Sequence, residues 1–105
     1  MENLRVSLLQ AELAWEDKAA NLQRFGEKIA ALPPDSDLIL LPEMFTTGFS
    51  MNAPALAESM DGPTMQWLAA QAAGSGAVIA GSFIAREKDR YYNRFVWMRP
   101  DGSFD

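Results

Sequence analysis

The sequence predicts an α/β fold with a mostly parallel sheet. Four short apolar runs are bounded by turn residues, which is typical of β-strands. They cover residues 4–10, 38–41, 77–84 and 91–98. A helical pattern separates the first two runs, and the order strand, helix, strand favours parallel strands with a right-handed crossover. A second helical pattern precedes the third run, so the predicted order is β-α-β-α-β-β.

The first helix is predicted between the first two strands. Glu16 and Asp17 favour its start, because acidic side chains are stabilised near the positive end of the helix dipole. Pro33-Pro34 ends the helix, since proline cannot continue it. Between these limits, apolar residues recur at spacings of three and four and give the helix one apolar face. These residues are Ala19, Leu22, Phe25, Ile29 and Leu32.

The remaining elements are a second helix and a hairpin. Gly62-Pro63 opens the helix, with proline in the first turn where no backbone hydrogen bond is lost, and Gly74 and Gly76 close it. The charged residues 87–90 form a turn that makes the third and fourth strands a hairpin. Two helices can cover one face of this sheet. The strands at 38–41 and 78–84 are predicted to be buried on both faces, as parallel strands usually are. We therefore expect the remaining cover to come from residues after 105 or from a partner chain.

Composition excludes several classes of function. Fourteen acidic residues oppose nine basic ones, and the net charge of −5 argues against nucleic acid as a partner, because phosphate binding needs clustered Lys and Arg. Cysteine and histidine are both absent. These residues therefore cannot form a disulfide, a thiolate or imidazole metal site, or a Cys–His or Ser–His catalytic pair.

The chain also lacks the sequence signals of membrane proteins and secreted proteins. No apolar run is long enough to cross a bilayer. The first five residues lack the basic segment that leads into an apolar one in a signal peptide. We therefore expect a cytoplasmic protein without a membrane partner.

Glu43 is the candidate catalytic residue. The apolar strand 38–41 stops at Pro42, and Glu43 follows it directly. Open α/β sheets bind their ligands beyond the carboxyl ends of their strands, and a carboxylate buried there is costly to keep unless something uses it. The structural alternative is an acid that contributes only to a helix cap. The residues alone leave both alternatives open.

A longer segment around Glu43 resembles a known family. Leu40–Phe49 is similar to the catalytic-glutamate segment of the nitrilase, or carbon–nitrogen hydrolase, superfamily. Further landmarks match the family's order over essentially the whole chain. They are Gln10, Asn21, Gly62-Pro63-Thr64, Gly81-Ser82, Tyr92-Asn93 and Pro100-Asp101-Gly102. Residues 44–49 look most like the omega-amidase branch, which acts on the terminal amides of small dicarboxylic acid derivatives.

The resemblance implies a fold, a reaction and an assembly. The fold is a nitrilase-like four-layer αββα sandwich, of which residues 1–105 would form the N-terminal part of a single domain. The reaction is hydrolysis of a small amide by a Glu–Lys–Cys triad without a metal or organic cofactor. In it Glu43 is the general base, a lysine stabilises the oxyanion, and a cysteine forms a thioester. Family members are typically homodimers or larger assemblies.

The chain departs from the family pattern near its end. The lysine and the cysteine would both lie beyond Asp105, and Lys88 comes too early, in the predicted hairpin turn, to replace the lysine. We therefore expect a truncated piece of a longer amidase that is inactive alone, since thioester chemistry needs a nucleophile, a base and an oxyanion stabiliser. The alternative is a non-catalytic α/β binding or interaction module.

Three further hypotheses concern residues around Glu43. Phe45 and Phe49 are candidate substrate-binding residues, because aromatic side chains are enriched in ligand pockets, although packing is their commoner use. Asn93 is predicted either to orient the site or, more commonly, to bind a turn backbone. A metal hydrolase with oxygen ligands from Glu43 and Asp61 is a third interpretation, but two acids eighteen residues apart specify no geometry.

Overall fold

The computed structural model describes residues 3–105. Met1 and Glu2, which belong to the start that was predicted to lack a signal peptide, lie outside the described residues. The elements run in the order β1 (Val6–Leu8), α1 (Lys18–Ala30), β2 (Leu38–Leu40), α2 (Ala53–Leu56), α3 (Pro63–Ser75), β3 (Val78–Glu87) and β4 (Arg90–Met98). The short helix α2 was not predicted, and the remaining elements follow the predicted order.

The strands form one four-stranded sheet in sequence order, β1-β2-β3-β4. The β1–β2 and β2–β3 pairs are parallel and the β3–β4 pair is antiparallel, which confirms the α/β class and the hairpin. The predicted four-residue turn was too long, because β3 extends to Glu87 and β4 starts at Arg90. Its turn residues, Lys88 and Asp89, have φ angles of 51° and 65°, as the favoured two-residue hairpin turn requires.

Capping residues set the ends of the two long helices. Asp17 is the N-cap of α1 and accepts a hydrogen bond from the Ala20 N–H at 3.1 Å. Glu16 was expected in the first turn but lies before the helix. α3 begins at Pro63 and ends before Gly76, which adopts a left-handed φ of 72°. Glycine takes this conformation at little cost, so the helix ends where the sequence predicts.

Helices α1 and α3 pack on one face of the sheet. Alternate strand residues point toward the helices, and they join the helix side chains in one hydrophobic core. Large core side chains that are almost fully buried are Phe25, Ile39, Leu68, Ile79 and Phe83. This core holds the sheet rigidly beneath the loops at the carboxyl ends of β2 and β3.

The opposite face of the sheet is exposed at its two edge strands, β1 and β4, within residues 3–105. Leu8 pairs with Leu40, and Leu40 pairs with Ala80, so these side chains share the face that points away from Ile39 and the helices. Leu8 is 70% exposed, and Phe95 on β4 is 58% exposed. As expected, the helices cover one face only. Burial on both faces, which was predicted for strands 38–41 and 78–84, is found along most of β3, where residues 79–85 are all buried. In β2 it is not found, because Leu38 and Leu40 are only half-buried.

Candidate active site

Glu43 lies directly beyond the carboxyl end of β2. The Leu41 N–H donates to the Ala80 carbonyl at 2.8 Å and extends the pairing of β2 with β3 to the edge of the sheet. Pro42 then ends the pairing, since proline has no N–H to donate. The Glu43 side chain is exposed, so the expectation of a buried carboxylate at this edge was wrong. A carboxylate in this position is open to a partner or ligand.

The backbone after Glu43 turns sharply. Met44 has a φ of 51°, a left-handed conformation that is unfavourable for a residue with a side chain. Ser82 on β3 compensates, because its hydroxyl accepts a hydrogen bond from the Met44 N–H at 2.9 Å and its carbonyl accepts one from the Phe45 N–H at 3.2 Å. Ser82 was matched only as a family landmark. A serine within an apolar strand is the available signal for this role, and it was not used.

Asn21 ties the same loop to helix α1. Its side chain is fully buried, and its Nδ2 donates to the Thr46 carbonyl at 2.7 Å and to the Ala14 carbonyl at 2.8 Å. Its Oδ1 accepts from the Ala14 N–H at 2.8 Å, so this amide is satisfied on both sides. Sequence reasoning noted Asn21 without assigning it a role, although a buried amide is retained only where it has such partners.

Asn93 on strand β4 contacts Glu43, although the two residues are far apart in the sequence. Strand β4 runs antiparallel to β3, so its early residues lie at the same sheet edge as the carboxyl ends of β2 and β3. The Asn93 Nδ2 donates to Glu43 Oε2 at 2.7 Å, within the normal range for a hydrogen bond to a charged oxygen. Of the two predicted roles, the structure supports orientation of the site rather than a bond to a turn backbone.

Phe45 and Phe49 have opposite environments. Phe45 has no exposed surface; it packs edge-on against Phe25, with ring centroids 5.8 Å apart, and lies 5.6 Å from the Trp67 ring. A side chain with no exposed surface has none to offer a substrate. Phe49 is 66% exposed and lines a recess with Tyr92 and Asn93. Phe49 is therefore the aromatic side chain of this pair that a ligand can reach.

Glycine at position 81 lets the loop approach the sheet. A Cβ atom there would lie 3.0 Å from the Leu41 Cβ and 3.2 Å from the Phe45 ring, closer than van der Waals contact allows. Gly81 therefore permits Phe45 to pack directly over β3. This is a physical reason for the glycine that the sequence comparison noted only as a landmark.

A second carboxylate, Glu58, is buried but has a structural role. Its two oxygens accept from the Thr64 N–H at 2.8 Å and the Thr64 hydroxyl at 2.6 Å, and Lys18 lies 3.5 Å away. Thr64 is in the first turn of α3, where free N–H groups attract an anion. Sequence reasoning missed Glu58. An acid six residues before Thr64, ahead of the Gly62-Pro63 helix start, is the available signal.

The other charged candidates do not converge on Glu43. Asp61 accepts a hydrogen bond from the Ser59 hydroxyl at 2.6 Å in an exposed turn, and Lys88 lies in the β3–β4 turn. Across residues 3–105, no group of three or more Asp, Glu, His or Cys side chains is arranged to hold a metal ion. The geometry therefore gives the metal-hydrolase hypothesis no support.

No helix within residues 3–105 is long and apolar enough to span a membrane.

Comparisons with known proteins agree on one family. The carbon–nitrogen hydrolase family model matches residues 5–105. The omega-amidase YafV of Yersinia enterocolitica is 40% identical over 105 residues, and the match covers 98% of this chain but 40% of that protein. The omega-amidase YafV of Escherichia coli K12 is 38% identical over 103 residues, with the same coverage.

Solved structures give the same result. XC1258 from Xanthomonas campestris, a protein of the CN-hydrolase superfamily, is 45% identical and superimposes with a TM-score of 0.95 over 100% of this chain and 40% of its own. Nit3 of Saccharomyces cerevisiae, a nitrilase superfamily member, is 26% identical with a TM-score of 0.79 and covers 95% and 41% of the two chains. The chain thus spans about 40% of the length of these relatives. The predicted family and fold class are confirmed, and the chain belongs to the carbon–nitrogen hydrolase family.

Proposed function

We propose that this chain is the N-terminal part of a single carbon–nitrogen hydrolase domain, in a longer amidase that cleaves a small linear omega-amide to a carboxylate and ammonia. One observation carries the proposal. Glu43 is an exposed carboxylate at the ligand-binding edge of the sheet, and one of its oxygens is held by Asn93 at 2.7 Å. The omega-amidases among its relatives suggest the substrate class.

The proposed reaction uses Glu43 twice as a general base. Glu43 first takes the proton of a cysteine thiol, and the thiolate attacks the amide carbon. A lysine ammonium stabilises the resulting oxyanion. Collapse of this intermediate expels ammonia, which receives its proton from Glu43, and leaves a thioester. Glu43 then takes a proton from water, whose attack on the thioester releases the carboxylic acid and the thiol. The cysteine and the lysine are expected beyond Asp105.

The substrate contact that this chain offers is Phe49. Its exposed ring and Asn93 line the same recess, and Asn93 also contacts the catalytic carboxylate. An amide whose nitrogen end lies at Glu43 would therefore place its acyl chain beside this aromatic ring. Phe45 is left out of the proposed substrate site because the core surrounds it completely.

The proposal also covers assembly and location. From the resemblance we infer a homodimer or larger assembly in the cytoplasm, with no metal or organic cofactor and no nucleic-acid or membrane partner. The net charge of −5 supports the exclusion of nucleic acid. Light scattering of the full-length protein tests the assembly, and a monomer at micromolar concentration would contradict it.

Ammonia release from the full-length protein tests the reaction class. We expect turnover of a monoamide of a small dicarboxylic acid, such as succinamate, that proceeds after dialysis against a chelator. Succinate methyl ester with no amide serves as the control for non-specific ammonia. A full-length, folded protein that binds such amides without hydrolysing them would contradict the proposal and would favour the non-catalytic binding module.

A further inference from the structure

Within residues 3–105, the Glu43 carboxylate has one side-chain hydrogen-bond partner, and it is Asn93. Its Nδ2 lies 2.7 Å from Glu43 Oε2, although the two residues are 50 positions apart in the sequence. An ionised carboxylate can only accept hydrogen bonds, so the amide nitrogen, and not the amide oxygen, must face it. The contact therefore has a defined donor, the Asn93 amide nitrogen, and a defined acceptor, Glu43 Oε2.

The register of the β3–β4 hairpin fixes the position of Asn93. Asn93 pairs with Ile84, and Ser82 pairs with Phe95, so Asn93 and Ser82 are diagonal neighbours on one face of the hairpin. Ser82 binds the main-chain N–H of Met44 at 2.9 Å, and Asn93 binds the carboxylate of Glu43. One hairpin thus binds both the backbone that directly follows Glu43 and the carboxylate at the end of the Glu43 side chain.

This double attachment restricts a side chain that would otherwise be mobile. An exposed glutamate has several rotamers that are similar in energy, and a general base is effective only within hydrogen-bond reach of the proton it takes. Across residues 3–105 no ion pair reaches Glu43, so neither a lysine nor an arginine of this part of the chain fixes it. Asn93 supplies that restraint and leaves Oε1 available for a proton.

We propose that Asn93 is a positioning residue for the general base of the amidase. It donates to Glu43 Oε2 and directs Oε1 toward the nucleophile. The inference rests on the proposed function, because it assumes that Glu43 takes a proton during catalysis. Asn93 acts through Glu43 in this account, so its loss should lower kcat and leave KM nearly unchanged.

Two substitutions separate a donor role from a packing role in the full-length enzyme. Asn93→Ala removes the amide, and Asn93→Asp keeps nearly the same shape but replaces the donor with a second carboxylate. With succinamate at neutral pH, we expect Asn93→Ala to lower kcat about tenfold to 100-fold with KM within about twofold, the scale of a misplaced catalytic group. Asn93→Asp should be the slower of the two, because like charges would repel Glu43 from its productive rotamer.

Controls make each outcome informative. Asn52→Ala, at an exposed asparagine that makes no side-chain cap bond, should retain wild-type kcat. An Asn93→Asp enzyme with wild-type kcat, or a loss that appears in KM alone, would overturn the positioning role. If Asn93→Ala fails to fold in thermal melts, the comparison of wild type with the isosteric Asn93→Asp decides the question. An active Glu43→Gln enzyme would instead refute the proposed function, whereas an inactive Glu43→Gln enzyme beside a normal Asn93→Ala enzyme would refute only this inference.

Discussion

Met44 and Ser82 explain how the backbone beside the exposed Glu43 is held in place. Met44 adopts a left-handed conformation, with φ of 51°, that generally costs about 1–3 kcal/mol at a residue other than glycine. The Ser82 hydroxyl accepts a hydrogen bond from the Met44 N–H at 2.9 Å, and the Ser82 carbonyl accepts one from the Phe45 N–H at 3.2 Å. The strain is compensated locally, and Glu43 sits on a fixed turn although its own side chain is exposed.

The first prediction concerns the Ser82 hydroxyl. In the full-length protein, Ser82→Ala should lower the free energy of unfolding by about 1–3 kcal/mol, because the buried Met44 N–H would lose its acceptor. Urea denaturation measures this change. Ser59→Ala, which removes an exposed hydrogen bond to Asp61, is the control and should change stability by less than about 0.5 kcal/mol. Equal effects of the two substitutions would show that Ser82 does not anchor the turn.

The second prediction at the residue scale concerns the contribution of the Glu58 carboxylate to stability. Its buried carboxylate accepts two hydrogen bonds from Thr64 and lies 3.5 Å from the Lys18 ammonium. Glu58→Ala should therefore lower the free energy of unfolding by roughly 3 kcal/mol, since the partners lose a buried anion. The exposed Glu27 on α1 is the matched control, and Glu27→Ala should be nearly neutral. A neutral Glu58→Ala would contradict the structural role given to this carboxylate.

At the scale of elements, α1 and α3 hold the sheet from one side. Phe25 of α1 is fully buried and packs against the Phe45 ring, so it connects this helix to the loop that follows Glu43. Phe25→Ala should destabilise the full-length protein by about 3–5 kcal/mol through cavity formation. The exposed Gln23 on the same helix is the control. Thermal melts that shift equally for Phe25→Ala and Gln23→Ala would contradict this packing.

Periodic apolar residues made most elements predictable from the sequence. The α1 face repeats every three or four residues, and Pro33 and Gly76 mark helix ends by known backbone limits. The hairpin was predicted too short, because Glu87 and Arg90 are charged and were assigned to a turn. In the structure they continue the β3–β4 ladder, where their exposed side chains need no apolar partner. The four-residue α2 was missed because so short a helix has no periodicity to detect.

The candidate site was predictable only in part. The family motif placed Glu43 correctly beyond a strand, but no local pattern links it to Asn93, since that contact depends on the register of a hairpin formed 50 positions later. Phe45 and Phe49 looked equivalent in the sequence. The left-handed turn at Met44 breaks the alternation that would have related them, and it turns Phe45 into the core and Phe49 toward solvent.

At the scale of the whole molecule, the chain forms one helix layer and one sheet layer. On the sheet face away from the helices, Leu8 is 70% exposed and Phe95 is 58% exposed. The chain spans about 40% of the length of its relatives. An apolar face of this kind promotes association. We expect the proposed Glu–Lys–Cys site to be completed by residues beyond 105.

The isolated chain should therefore be catalytically inactive and prone to self-association. Residues 1–105, expressed alone, are expected to release no ammonia from succinamate beyond the level of the same fragment carrying Glu43→Gln, because neither nucleophile nor oxyanion stabiliser is present. Sedimentation should detect species larger than a monomer. Turnover above the Glu43→Gln fragment, or a stable monomer at high concentration, would contradict this description.

The most direct test of the central claim is the kcat/KM of the full-length Glu43→Gln enzyme. Glutamine preserves the size of the side chain but cannot take a proton, and general-base catalysis typically contributes about 100-fold to 10,000-fold. We predict a loss in that range for hydrolysis of succinamate, while the exposed-surface control Glu27→Gln retains wild-type kcat/KM. A Glu43→Gln enzyme with kcat/KM close to that of the wild type would show that Glu43 is not the general base.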